Sequence, residues 1–313
     1  PFAKPRGYDI AAVSTSQRFD QDSPPPSPTA LADMMVENVP VLKHVHDGMT
    51  IEGYSRAAVQ TCWRVNELKL LFDAGVQPWD FMGTSTMFIS HAHLDHIAAL
   101  PLYVSRRRMM KMDPPVIYLP DSAVDTAWEM LQMFRRLDRG SMPCELIGLL
   151  PGDETHISRE YVVTAVPTQH TIDSVGFVVY HRRHKLKPEF QELTGQQIRD
   201  LKLAGTEITS EIRVPVFAYT GDTSPRGLDR NPEFFEAKVL VTEMTFVAPE
   251  HRKEKIHKHG HMHVDDFRKR ADHFKNELVI ASHLSTRYNA PQVKRFVQRA
   301  LPSMLDGRLK LWI

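Results

Sequence analysis

Apolar and polar residues alternate with the two-residue period of half-buried strands over residues 41–54, 59–65 and 68–72, the last two joined at Asn66-Glu67. The first third therefore reads as antiparallel strands entering one sheet. A short apolar strand at 87–90 precedes a helical pattern over 97–112, then a strand at 116–119 and a helix over 121–137 with Asp121 or Ser122 as its cap. The middle, 144–180, again reads as short strands, including 161–166 and 176–180. The last third alternates strand and helix: strands at 214–219, 238–241 and 278–281, helices near 232–237, 264–275 and 291–300. Two β-rich blocks, each running into βα units, predict two sheets packed face to face with helices outside, an α/β (α+β) fold.

Two segments break this rhythm. Residues 1–40 carry Ser23-Pro24-Pro25-Pro26-Ser27-Pro28 and few periodic apolar positions, so they read as an extended arm ahead of one domain spanning 41–313. Residues 185–212 are polar and read as an inserted arm or helix. Met109, Met110, Met112, Met130 and Met133 recur at helical spacing and are expected in the core, as are Cys62 and Trp63 on their strand.

Composition narrows the function classes. With 313 residues the chain can bury a large core, and no stretch approaches the roughly 20 apolar residues that span a bilayer, which excludes a membrane-spanning protein. Only Cys62 and Cys144 are present, which excludes a disulfide scaffold and fits a reducing compartment. The first residues lack the charged-then-apolar pattern of a secretory leader, so a cytoplasmic location is expected. A formal charge of +1 advertises no nucleic-acid partner globally, so any such binding must be local. Candidates are Arg106-Arg107-Arg108 with Lys111, and the run His181-Arg182-Arg183-His184-Lys185-Leu186-Lys187, although charge runs are more often solvated faces.

What changes the picture is where the 16 histidines stand. Directly after the strand at 87–90 comes His91-Ala92-His93-Leu94-Asp95-His96. Imidazole and carboxylate suit borderline ions such as Zn²⁺, and a strand-to-helix loop lets His91 and His93 point one way and Asp95 and His96 another, so that two adjacent ions are served. Further ligands are expected at other strand ends, where His170, Asp222 and His283 stand. The stretch His257-Lys258-His259-Gly260-His261-Met262-His263 reads as a solvated histidine-rich loop or a weak surface metal site, with only His261 assigned a role.

The His-x-His-x-Asp-His run resembles the signature of the metallo-β-lactamase superfamily residue for residue, and the rest of the chain resembles its ribonuclease Z branch (tRNA 3′-processing endonucleases). Carrying that resemblance are Gln169-His170, Gly221-Asp222, Glu243-Met244-Thr245-Phe246, Gly260-His261 and His283-Leu284-Ser285-Thr286-Arg287-Tyr288. The resemblance implies an αββα sandwich of two facing mixed sheets flanked by helices. It implies one ion held by His91, His93 and His170, a second held by Asp95, His96 and His283, and Asp222 bridging both. Two Zn²⁺ per chain are expected, Mn²⁺ or Fe²⁺ being accepted by the same ligands. Two ions about 3.5–4 Å apart suit in-line displacement at phosphorus. Asp95 would orient the attacking water, and His261, oriented by Glu243, would be the general acid. Ser285, Arg287, Tyr288 and Arg56 are assigned to substrate, precursor tRNA is the expected partner, and a homodimer is expected from the branch.

The substrate-binding parts depart from the branch. Asp73-Ala74-Gly75-Val76-Gln77-Pro78 lacks the Glu and Thr of the family turn, and the Pro-x-Lys-x-Arg-Asn loop leaves only Ser55-Arg56 near its place. The alternative is accordingly a phosphodiesterase, or a lactonase, acting on a small molecule with the same metal site. A silent scaffold is disfavoured by the intact ligands, and a redox di-iron protein by His93, where that branch carries Glu.

Overall fold

The computed structural model describes residues 41–313, and the Pro-rich stretch expected as an arm over 1–40 lies outside the described residues. Two seven-stranded sheets form in chain order. The first contains β1 (Leu42–His46), β2 (Met49–Arg56), β3 (Gln60–Val65), β4 (Leu70–Phe72), β5 (Thr86–Phe88), β6 (Val116–Pro120) and β7 (Glu145–Leu149). The second contains β8 (Glu154–His156), β9 (Tyr161–Pro167), β10 (Val175–Leu186), β11 (Thr209–Tyr219), β12 (Val239–Glu243), β13 (Leu278–Ser282) and β14 (Leu309–Leu311). Both sheets follow one logic: β1 to β4 and β8 to β11 are antiparallel, and β4 to β7 and β11 to β14 are parallel. Parallel pairs need crossovers, and those crossovers carry the α-helices, except between β4 and β5, where a 3-10 turn at Trp79–Gly83 serves.

The first sheet is covered by α1 (Leu94–Ile97), α2 (Leu100–Met109) and α3 (Val124–Asp138); α4 (Gly195–Leu203) joins β10 to β11. The second sheet carries α5 (Pro225–Asp229), α6 (Pro232–Glu236), α7 (Lys253–Lys258), α8 (Val264–Lys269) and α9 (Ala290–Ala300). Between the sheets lies an aromatic core. Phe72 packs on Phe217 at 5.2 Å, on Phe88 at 5.9 Å and on Phe177 at 6.0 Å, and Trp63 on Trp312 at 4.9 Å. This is the αββα sandwich.

Several sequence expectations are corrected. The stretch 41–54 is a hairpin, because Asp47 and Gly48 both take positive φ (43° and 77°) and reverse the chain. The helix expected over 97–112 is two, α1 and α2, and the one expected from 121 begins as a 3-10 turn at Asp121–Ala123 with no side-chain cap. Helix 264–275 ends at Lys269 and continues as a 3-10 turn at Ala271–His273. Met109, Met110 and Met133 are exposed, whereas Met112 and Met130 pack against the core and Cys62 and Trp63 are fully buried. Residues 185–212 are the end of a two-stranded ribbon: β10 and β11 stay paired out to Leu186 and Thr209, and α4 closes the tip with a Thr194 capping box.

The aromatic core holds the sheets at their working distance. Phe72→Ala leaves a cavity that costs about 3–5 kcal/mol, read as a lower urea midpoint at unchanged slope.

Candidate metal centre

Six loops converge where the strands end. Asp73 follows β4, His91 and His93 follow β5, His170 follows β9, Asp222 follows β11, Glu243 closes β12, and His283 follows β13. Open α/β sheets place ligands at the carboxyl ends of parallel strands, where loop backbone and side chains face a common crevice. His93 is the residue before α1, and the first turn of that helix carries Asp95 and His96. Two glycines permit the crowding. A Cβ on Gly75 would lie 1.8 Å from the Asp95 carbonyl, and one on Gly260, at φ +68°, would meet His170 Cα at 2.5 Å.

Around this crevice the donor atoms form overlapping groups in which all atoms lie within 4.8 Å of one another. His93 Nδ1 is 3.2 Å from His91 Nε2 and 3.0 Å from His170 Nε2. His96 Nε2 is 3.4 Å from His283 Nε2, and Asp95 Oδ2 lies 3.3 Å from the latter. Between the two groups sits Asp222 Oδ2, at 3.9 Å from His91, 3.6 Å from His96, 4.0 Å from His170 and 3.3 Å from His283. The seven residues named from the sequence thus come together as two clusters sharing one carboxylate.

The outer ring shows which nitrogen each histidine keeps free. His96 Nδ1 donates to Asp73 at 2.6 Å, His170 Nδ1 donates to the Gly260 carbonyl at 3.0 Å, and His91 Nδ1 and His283 Nδ1 meet the hydroxyls of Ser90 (3.0 Å) and Thr245 (3.1 Å). Each of these four rings is held through Nδ1 with Nε2 turned inward, the arrangement that fixes tautomer and direction for a cation. Asp73 is fully buried and also accepts from Ser90 N and Oγ and from the Tyr219 hydroxyl. Sequence reasoning missed Asp73, Ser90, Tyr219 and Thr245 as site residues. Asp73 left a signal as an aspartate directly after an apolar strand, and Thr245 as part of the stretch Glu243-Met244-Thr245-Phe246.

Charge in the crevice is arranged for a cation. Burial alone would lower His96, yet the carboxylates of Asp222 and Asp73 raise it well above the ordinary histidine range. Asp222 is driven well below the carboxylate range: burial opposes this, and the His283 and His96 imidazoles outweigh it. Asp95 falls to about 2 against its burial, through its hydrogen bond from His283 and the charge of His96. His91, buried among other imidazoles, is held well below the usual range by desolvation. Buried carboxylates ringed by imidazole nitrogens fit divalent metal, and the absence of cysteine among them favours borderline over soft ions.

At the rim, His261 Nδ1 donates to Glu243 Oε1 at 3.0 Å. Glu243 is buried and held by the Thr223 and Met262 amides and the Thr245 hydroxyl. Burial pushes His261 down, but Glu243 and then Asp222 and Asp95 raise it to about 9. Of the four residues named for substrate, Arg287 is exposed beside the crevice, Ser285 is buried, and the buried Tyr288 bonds His251 through its hydroxyl. Arg56 turns to the carbonyls of Tyr288 (3.2 Å) and Ser285 (3.5 Å), tying β2 to that loop.

Four arginines of the basic runs serve the scaffold, whereas Lys111, Arg183, His184 and Lys185 are exposed. Arg106 donates to Gln77 O, Arg107 is buried against the carbonyls of Met82 and Asp113, and Arg108 pairs with Asp138. Arg182 donates to Ser158 O and Arg159 O. The expected solvated loop at 257–263 is corrected too: His263 is buried and caps α8, and His257 Nε2 donates to Asp266 at 2.9 Å.

Sandwich and crevice together define a metal-dependent hydrolase of the metallo-β-lactamase type, and residues 70–284 match the Beta-lactamase superfamily domain. The chain is 37% identical to tRNase Z TRZ1 of Arabidopsis thaliana over 84% of its own length and 94% of that relative. It is 35% identical to tRNase Z TRZ2, chloroplastic, of the same plant, over 80% of this chain and 72% of that one. Among solved structures, the metallo-beta-lactamase fold protein YhfI from Bacillus subtilis superposes with a TM-score of 0.56 at 15% identity, covering 84% of this chain and 95% of that one. The chain belongs to the ribonuclease Z family of this superfamily.

Because His96 must lose its proton before Nε2 can take a cation, affinity for zinc rises with pH. Asp73→Asn, which removes the carboxylate behind His96, weakens zinc binding roughly 10- to 100-fold. Competition with a chromophoric chelator across a pH series measures both.

Proposed function

We propose that this chain is an endoribonuclease that removes 3′ trailers from precursor tRNA with two zinc ions, one at His91, His93 and His170 and one at Asp95, His96 and His283, bridged by Asp222. The observation that carries the reading is the shared Asp222 carboxylate between two ligand clusters, with a glutamate-held histidine at the rim. The names of the two plant relatives support the substrate. Bound there, the ions would activate water and neutralise charge on the scissile phosphate.

The chain's own groups do the rest. Asp95, held by the Ala58 amide at 2.8 Å, orients the water by accepting its hydrogen bond. The water oxygen bonds to phosphorus as the bond to the 3′ oxygen breaks, and the water's proton passes to solvent. His261, charged at neutral pH, gives the departing 3′ oxygen its proton and is itself held in place by Glu243. The products are an RNA ending in a 3′ hydroxyl and a trailer carrying the 5′ phosphate. Residues 41–313 form the catalytic domain, and the ribbon tip at 185–212 is the candidate arm for tRNA.

A homodimer and a reducing, cytoplasmic location complete the proposal. Trp128, Phe134 and Leu137 on α3 and Leu102 on neighbouring α2 expose apolar area that a second copy would cover, and Cys62 and Cys144 are both free thiols. Among the described residues no helix is long and apolar enough to cross a membrane. A small phosphodiester is the second reading, favoured by the inward-turned Arg106, Arg107 and Arg108.

The zinc-loaded protein should cut a 3′-extended precursor tRNA just after the discriminator base, and Asp95→Ala should abolish cutting; turnover of bis(p-nitrophenyl) phosphate alone would decide for the small substrate. His261→Ala should lower kcat by roughly 10²- to 10⁴-fold. Since Glu243 raises His261, the acid form is lost at lower pH in Glu243→Gln, so the alkaline limb of its pH–rate profile moves to lower pH. Sedimentation should find a dimer that Phe134→Glu converts to monomer.

A further inference from the structure

Two clefts flank the metal crevice, and they differ in charge. One, of about 610 Å³, is lined by Phe246, His251, Arg252, Lys255, His261 and Arg287. The other, on the far flank of His170, is lined by Asp121, Ser122, Leu150, Ile172 and Asp173 and contains no lysine or arginine. Both have the volume of a small-molecule site, but only the first carries lysine and arginine to attract phosphate.

The chemistry of the first cleft is specific. Phe246 is a fixed aromatic platform: its amide donates to Met262 O at 3.1 Å, and its carbonyl accepts from Val264 N at 2.9 Å. Its ring lies 5.1 Å from the His251 ring, which Tyr288 holds through its hydroxyl, and 6.3 Å from the His261 ring. The Arg287 guanidinium sits over its face at 5.8 Å. Lys253 is paired with Asp265, but Arg252, Lys255 and Arg287 make no ion pair among the described residues. Glu250 also lines the cleft, leaving it with an excess of positive charge. An aromatic face beside unpaired cations is what a nucleotide requires, the base stacking and the phosphate meeting the cations.

Resting on the nuclease reading above, we propose that this cleft holds the nucleotide on the 5′ side of the cut, the one that keeps the 3′ oxygen. Its base stacks on Phe246 with the His251 ring, inclined at 65° to that face, against its edge, and its own 5′ phosphate is met by Arg252 and Lys255. The direction follows from His261, which lines this cleft and not the other: the oxygen that takes its proton belongs to the nucleotide lying here. The trailer leaves across the flank that carries no lysine or arginine.

The test compares wild type with Arg252→Ala/Lys255→Ala, both exposed positions, and with Phe246→Leu. One readout is KM and kcat on precursor tRNA beside bis(p-nitrophenyl) phosphate. The other is binding of two short RNAs by the zinc-loaded protein, one ending in a 3′ hydroxyl and one beginning with a 5′ phosphate. The double variant should raise KM for precursor at least roughly 10-fold more than KM for the small diester, with Arg252→Lys/Lys255→Arg restoring most of it. It should weaken the RNA ending in a 3′ hydroxyl and spare the 5′-phosphorylated one, and Phe246→Leu should weaken the same RNA. Equal losses on both substrates, or weakening confined to the 5′-phosphorylated RNA, would overturn the assignment. If wild type cut no precursor, the nuclease reading would fall, and selective loss of the 3′-hydroxyl RNA would still sustain the cleft as a nucleotide site.

Discussion

Two carboxylates, Asp73 and Asp222, are buried where the carboxyl ends of the two sheets meet, and a charge out of water persists only if donors or cations surround it. Asp73 meets the requirement with protein alone, taking hydrogen bonds from an amide, two hydroxyls and an imidazole. Asp222 is surrounded by imidazole nitrogens. That difference separates a carboxylate satisfied by the scaffold from one left facing the crevice. Nearby, His283 takes a positive φ of 56° that a side chain rarely adopts, a conformation held by its surroundings.

The fold makes such a crevice possible by repeating one device. Each sheet begins antiparallel and turns parallel, so each brings loops to the same edge, and the aromatic core between them fixes how far apart those loops stand. Position is then passed outward through hydrogen bonds rather than flexible contacts. His96 is set by Asp73, His283 by Thr245, and Thr245 and His261 both by Glu243. Glu243 therefore links His283 to His261 at the rim, and a change there is felt by both.

Charge is divided between building and binding. The arginines clustered in sequence at Arg106, Arg107 and Arg108 satisfy carbonyls and a carboxylate of the scaffold, whereas the unpaired cations beside the crevice come from separate segments, α7 and the loop after β13. A run of like charge attracts local partners first, because carbonyls at helix and loop ends lie within reach of long side chains.

Local pattern alone determined the alternation of strand and helix, the two-sheet architecture and the placing of ligands at strand ends, because periodicity and residue chemistry are properties of short segments. His91, His93, Asp95 and His96 were legible as one motif, and His170, Asp222 and His283 as single residues in the right setting. Asp73 showed only as an aspartate after an apolar strand and Tyr219 not at all, until the fold sets the two together beside His96 across 146 positions of chain. The hairpin at Asp47-Gly48 was signalled locally yet overlooked, while the fate of Arg56 and Arg106 to Arg108 had no local signal. Which nitrogen of each imidazole is tied back, which cation stays unpaired and which cleft His261 faces were decided by tertiary structure, because all three depend on atoms far apart in sequence meeting within hydrogen-bonding distance.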